Sequence, residues 1–205
     1  MAPFTLFSNI FVLYDVETRQ RLDMIEYTDS RKGRTQAVAW SKDGKKIAFS
    51  GFGAEVSIYD VATKAIDPLI QITTGLNRKD LDWSLDGERV ATASGIRGEV
   101  FVDDKNILYN TTTGSVVASV AMSHFSNLAV DHPKEEFIVF DSIANIIAYE
   151  DKTLRRFHRF STPYPKHTFT DGFTSLDFSP LGDQLLGTIN FVSNFRQNSL
   201  IVWEI

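Results

Sequence analysis

The stretch LDWSLDGERVATAS, at Leu81–Ser94, has the pattern of two short apolar strands joined by a tight Asp-Gly turn. Similar stretches occur three more times, and the four copies begin 43, 47 and 48 residues apart. They start at Val38, Leu81, Leu128 and Leu176. A regular interval of this length is typical of a repeated module with several strands. The repeat therefore predicts an all-β chain of tandem antiparallel units.

A second element recurs in the same frame, an apolar strand that ends in an aromatic residue followed by a polar one. Its copies are Tyr14-Asp15, Tyr59-Asp60, Tyr109-Asn110, Tyr149-Glu150 and Trp203-Glu204. Turn-like residues and a further β-rich run follow three of them. Each unit is therefore predicted to hold four strands, a to d. One such sheet is too small to bury both of its faces, so neighbouring sheets must stack around an axis, as in a β-propeller.

The two elements together resemble the WD-repeat β-propeller family, with FSPLGDQ at 178–184 and LIVWEI at 200–205 as the nearest matches. SKDGKKIAF at 41–49 is equally similar to the TolB-type propeller repeat. The resemblance implies a non-catalytic scaffold for protein–protein interaction, a subunit of a larger assembly whose loops recognise partners by shape and charge.

We expect one domain over residues 1–205, with about four to five blades. The repeat units are 1–27 (partial), 28–72, 73–121, 122–160 and 161–205. The chain enters in the middle of a blade, because Phe4–Asp15 is predicted as strand c or a b–c hairpin and Gln20–Tyr27 as strand d. It leaves after a strand c.

These ends allow two interpretations of the architecture. In the first, a small ring with an extra N-terminal strand closes when the last strands recruit the first strand d. In the second, which we favour, the chain is an arc completed by a second chain or by further sequence. An arc would expose apolar faces and unpaired edges that favour association.

Composition and motifs argue against several other classes of protein. The chain is 43% hydrophobic and contains no cysteine, so disulfides and thiolate sites are excluded. It has neither an apolar run long enough to span a membrane nor a secretory signal over residues 1–9, which favours the cytoplasm or nucleus. Nucleophile-elbow and phosphate-loop motifs are absent, and the four histidines lack metal-ligand spacing. We predict no catalysis, no cofactor and no metal.

Two aspartates support an alternative function. Asp82 and Asp177 occupy the same place in their units, just before the aromatic residue of strand a. A carboxylate on an inner strand must be hydrogen-bonded or lie beside the central channel. The structural interpretation is favoured, and the alternative is a hydrolase or glycan-binding propeller with a site at the channel mouth.

Basic residues cluster in the loops that share one side of a propeller, the d–a and b–c loops. The candidate partner-binding residues are Arg31, Arg34, Arg78, Lys79, Arg97 and Arg196. Guanidinium groups suit carboxylates and phosphates, so the expected partners are proteins with acidic or phosphorylated peptides. An ordinary solvated rim is the competing interpretation. The net charge of −5 argues against nucleic acid, and the basic run at 152–160 is predicted to be a strand d protected by its charges.

Overall fold

The computed structural model describes residues 9–27, 37–50, 56–70, 78–94, 105–121, 129–131, 137–142, 145–150, 152–160, 173–190 and 198–205. Within these ranges all regular structure is β-strand, which confirms the all-β prediction. Within each sheet, strands that are consecutive in the chain pair antiparallel.

The strands form five sheets, and each sheet is made from one continuous part of the chain. The N-terminal hairpin contains β1 (Asn9–Tyr14) and β2 (Arg21–Tyr27). Blade 1 contains β3 (Ala37–Trp40), β4 (Lys46–Ser50), β5 (Val56–Asp60) and β6 (Ala65–Ile70). Blade 2 contains β7 (Arg78–Trp83), β8 (Arg89–Ser94), β9 (Lys105–Asn110) and β10 (Val116–Ala121). Blade 3 contains β11 (Ala129–Asp131), β12 (Phe137–Ser142), β13 (Asn145–Glu150) and β14 (Arg156–Phe160). Blade 4 contains β15 (Phe173–Phe178), β16 (Gln184–Asn190) and β17 (Asn198–Glu204).

A serine closes each described turn between strands a and b. The Ser84 hydroxyl donates to Asp86 Oδ1 at 2.7 Å and accepts from the Arg89 backbone N–H at 3.0 Å. Gly87 adopts a φ of 73°, in the left-handed region where glycine carries no steric penalty. The same arrangement recurs in blade 1 at Ser41, Asp43 and Gly44. In blade 4 the Ser179 hydroxyl accepts from the Gln184 N–H in the same way but donates to Asp183, four residues on.

A polar cap after the strand c aromatic closes each turn between strands c and d. In blade 1, Asp60 Oδ1 accepts from the backbone N–H of Thr63 at 2.8 Å and from its hydroxyl at 3.0 Å. The next residue, Lys64, is left-handed with a φ of 58°. The equivalent caps are Asp15, Asn110 and Glu150.

In blades 1 and 2 the two kinds of turn lie on the same side of the sheet. The Val61 backbone N–H donates to the Lys45 carbonyl at 3.0 Å, and the Thr111 N–H donates to the Glu88 carbonyl at 2.9 Å. We call this the turn side. The opposite side, which carries the d–a and b–c connections, is the loop side.

Apolar residues fill the spaces between consecutive sheets. Leu81, Trp83 and Tyr109 of blade 2 pack against blade 1, where they meet Ala48, Val56 and Ile58. Tyr149 and Leu154 of blade 3 pack against Ala91, Ala93 and Leu108 of blade 2. The hairpin packs Ile25 and Phe11 against Ile47, Phe49 and Tyr59 of blade 1. The core is therefore a series of interfaces between stacked blades.

The ends of the chain do not pair with each other within the described residues. Strand β2 pairs with β1, and β17 pairs with β16. The prediction of a hairpin-like pair before blade 1 is confirmed over residues 9–27, while 4–8 lie outside the described residues. Closure by adding the first strand d to the last three strands is not formed here.

Candidate functional site

The predicted basic cluster belongs to the loop side. Arg78 and Lys79 begin strand β7, directly after the d–a connection, but their side chains are not among those described. Arg31, Arg34, Arg97 and Arg196 lie outside the described residues altogether. The structure therefore positions the backbone of two of the six predicted residues at the edge of the loop side.

The loop side differs from the turn side in the lengths of its connections. The a–b connections occupy residues 41–45, 84–88, 132–136 and 179–183, five residues in each case. The b–c connections occupy residues 51–55, 95–104, 143–144 and 191–197, so they range from two residues to ten. Uniform turns are typical of a structural framework, whereas variable loops are where binding functions concentrate.

Carboxylates on the turn side are engaged in the turns themselves. The backbone N–H of Thr63 holds the pKa of Asp60 below its usual value, and the Ser41 hydroxyl does the same for the pKa of Asp43. The Arg155 guanidinium lowers the pKa of Glu150. Lysines and arginines lie beside several of these acids, as in the Lys45–Asp43 pair at 3.6 Å. These groups serve as turn caps.

The candidate catalytic aspartates occupy different environments. Asp82 Oδ2 lies 3.7 Å from Lys42 Nζ, and Asp82 Oδ1 accepts from the Trp83 backbone N–H at 2.8 Å. Asp177 is exposed on β15, in another sheet. The ion pair with Lys42 links strand a of blade 2 to the a–b turn of blade 1. The structural interpretation of Asp82 stays a prediction.

One small cavity lies between the a–b turns of blades 1 and 2. Its volume is about 160 Å³, and its lining includes Lys42, Lys46 and Trp83. Small-molecule sites usually occupy roughly 300–1,000 Å³.

The described residues contain no group of three or more His, Asp or Glu side chains that could hold a metal ion. In the same part of the chain, no helix is long and apolar enough to cross a membrane.

The hairpin and blade 1 expose apolar residues that the sequence did not single out. Tyr14 is 58% exposed, although the equivalent strand c residues Tyr59 and Tyr109 are each 2% exposed. Trp40 is 47% exposed, whereas Trp83 at the same place in blade 2 is 1% exposed and donates through Nε1 to the Ala39 carbonyl at 3.0 Å. We call the hairpin surface the open backward face; it comprises Ile10, Val12, Tyr14 and Met24. Val38 and Trp40 lie beside it on blade 1, on the face against which the hairpin packs.

The last blade presents a second apolar surface, on its opposite face. Val202 is 51% exposed and Leu200 is 63% exposed. The residues that precede the strand c aromatic in blades 1 and 2, Ile58 and Leu108, are buried against the next blade. We call this surface the open forward face; it comprises Leu186, Leu200 and Val202.

The sequence shows only that both faces of these two strands are apolar. Residues 10–14 (IFVLY) and 200–203 (LIVW) are apolar at every position, rather than at alternate positions. Continuous apolar runs of this kind are typical of strands covered on both faces. In the structure one face of each run is covered and the other is open.

Comparison with solved structures supports the architecture. A chain in a crystal structure of a mitotic checkpoint complex matches 82% of this chain and 48% of its own, with a TM-score of 0.64 and 12% identity. Kuenenia stuttgartiensis hydrazine synthase matches 96% of this chain and 57% of its own, with a TM-score of 0.69 and 15% identity. Both are propeller-type folds, so the antiparallel sheets of this chain are propeller blades.

The same comparisons also show how much of each solved structure this chain matches. This chain spans about half the length of each of the two solved structures. No protein-family model matches the chain, and no curated protein matches its sequence. At these identities the likeness shows the fold alone.

Proposed function

We propose that this chain is a WD-repeat-like propeller scaffold that binds other proteins through its loop side, as a subunit of a larger assembly and without catalysis of its own. The contrast between the two sides of the blades carries the proposal. The turn side is uniform, and its caps are used internally. The loop-side connections vary in length, and Arg31, Arg34, Arg97 and Arg196 belong to them by sequence position. A chain of similar fold is part of a mitotic checkpoint complex.

Acidic or phosphorylated peptides are the proposed ligands of the loop side, and the cytoplasm or nucleus is the proposed location. An arginine guanidinium donates paired hydrogen bonds to carboxylate and phosphate oxygens. Arg31, Arg34 and Arg78 come from the d–a connections before blades 1 and 2, which are consecutive in the stack. A second chain completes the arc of blades in this proposal.

Binding of a fluorescent poly-glutamate peptide and of a phosphoserine peptide, measured by anisotropy, tests the loop side. Replacing Arg31, Arg34 and Arg78 together by alanine is expected to weaken binding by about tenfold or more, because one charge-assisted hydrogen bond contributes on the order of 1.5 kcal/mol. The matched control replaces three cations of the turn side, Arg19, Lys45 and Lys152. Unchanged affinity after the first triple replacement, with the fold intact by circular dichroism, would eliminate the proposal.

A further inference from the structure

The interfaces inside this chain follow one rule. Each blade offers the following blade a forward face, which includes the residue before its strand c aromatic. Each blade offers the preceding unit a backward face, which includes that aromatic itself. Ile58 of blade 1 thus packs in one cluster with Tyr109 of blade 2, and Leu108 of blade 2 packs in one cluster with Tyr149 of blade 3. A forward face is covered by a backward face.

The two ends of the stack carry one open face of each kind. The forward face of blade 4 has no following blade, so Leu200 and Val202 are exposed within the described part of the chain. The hairpin has no preceding unit there, so Tyr14 is exposed, and its two strands leave Trp40 on the inner strand of blade 1 exposed as well. The residues exposed at the two ends occupy the same places in their units as residues that are buried at the internal interfaces.

Charge at the two open faces is also complementary. Arg21 pairs with Tyr14 in the hairpin register, so it borders the open backward face at its turn-side end. Glu204 follows Val202 by two residues on β17 and therefore borders the open forward face at the same end. A guanidinium and a carboxylate at matching levels favour one relative orientation of the two faces.

We propose that this chain associates head to tail, the open forward face of blade 4 in one copy covering the open backward face of the hairpin in a second copy. This deepens the proposed completion of the arc by naming the completing chain. A second copy can cover either end, because each chain carries one open forward face and one open backward face. These two kinds of face cover each other at the interfaces inside the chain. Such a contact closes into a ring of copies if the rotation between copies permits, and otherwise builds an open filament of copies.

Two variants separate the two faces. The backward-face variant carries Val12→Glu and Tyr14→Glu, and the forward-face variant carries Leu200→Glu and Val202→Glu. All four positions are exposed in the single chain, so the substitutions should leave its fold intact. Two control variants, Val16→Glu and Leu181→Glu, each place one glutamate on an exposed apolar residue of a nearby turn, outside both faces.

Sedimentation velocity over about a hundredfold range of concentration gives the readout. We expect the unmodified chain and both controls to increase in mass with concentration, and each face variant to keep the mass of one chain. An equimolar mixture of the two face variants should form a one-to-one pair, because each retains the face that the other has lost. Circular dichroism and thermal unfolding at the lowest concentration check that every variant folds.

Three results would overturn the inference. One is an unmodified chain that keeps the mass of a single copy throughout, as expected if the faces close on each other within one chain or await a different protein. Another is association that survives either face variant, and the third is a mixture that stays unpaired. Peptide binding at the loop side is measured separately on the same variants. Failure of self-association with intact peptide binding therefore rejects this inference and leaves the proposed function standing.

Discussion

The Tyr59 hydroxyl donates to Asp23 Oδ2 at 2.6 Å and thereby joins strand c of blade 1 to strand β2 of the hairpin. Asp23 also accepts from the Met24 backbone N–H at 2.8 Å and lies 3.2 Å from Lys64 Nζ. The hydrogen bond from Tyr59 is the main reason that the pKa of Asp23 lies below its usual value. Together with the apolar contacts of Phe11 and Ile25, this bond fixes the hairpin on blade 1.

Replacing Tyr59 by phenylalanine tests the contribution of this bond. The ring would remain packed, so the expected loss is that of one hydrogen bond, about 1 kcal/mol of unfolding free energy. Urea unfolding measures this loss, and faster amide exchange in β2 than in blade 2 would locate it at the hairpin. Tyr14→Phe is the matched control, because its side chain is exposed and is expected to contribute nothing. Equal losses from the two replacements would contradict the assignment.

The same residue predicts a dependence of stability on alkaline pH. Burial, with the hydrogen bond to Asp23, raises the pKa of Tyr59 from 10.0 to about 12. A group whose pKa is higher in the folded state stabilises the fold below its unfolded pKa and loses that contribution as the pH rises. The difference in stability between the unmodified chain and Tyr59→Phe should therefore shrink between pH 10 and pH 12. Tyr149 remains in both proteins, so the difference reports Tyr59; a constant difference across this range would refute the prediction.

The repeat in the sequence was sufficient to predict the blades. Ser84, Asp86 and Gly87 act locally, since their bonds close a turn within a few residues, and such turns are visible as spacing in a sequence. The alternation and length of the flanking apolar runs then fix which strands pair. Strands predicted at 38–51, 81–94 and 176–189 accordingly agree with the structure.

The open faces could not be predicted in the same way. Val202 and Leu108 have the same local sequence context, a strand c residue before an aromatic, yet one is 51% exposed and the other 1% exposed. What differs is whether another blade follows in space, and no local pattern encodes that. The Asp23–Tyr59 bond was missed for a related reason, because its partners lie 36 residues apart in different units. The basic loop residues stay a prediction.

The caps of the c–d turns in blades 1 and 2 can be compared directly, because one is an aspartate and the other an asparagine. Asn110 in blade 2 accepts from the Thr113 backbone N–H and hydroxyl at 2.8 Å and 3.0 Å, the same distances that Asp60 makes to Thr63. Asp60→Asn should therefore preserve stability at neutral pH, whereas Asp60→Ala should lower the midpoint of urea unfolding.

Acid distinguishes the aspartate from the asparagine. The pKa of Asp60 is lowered from 3.8, chiefly by the Thr63 N–H, so its stabilising charge is present above that value and is lost as the pH falls below it. The unmodified chain should lose stability on acidification more steeply than Asp60→Asn. Parallel acid profiles for the two proteins, measured by thermal unfolding, would show that the cap does not depend on charge.

A matched pair of truncations compares a covered forward face with an open one. Leu108→Ala removes a side chain buried between blades 2 and 3, so it should cost about 2–5 kcal/mol of unfolding free energy. Val202→Ala removes a side chain from the equivalent position of blade 4, where half of it is exposed, and should cost about 0.5 kcal/mol or less in dilute solution. Urea unfolding at low protein concentration measures both. A large cost for Val202→Ala under these conditions would mean that the forward face of blade 4 is covered within a single chain, and would favour a closed ring over an arc.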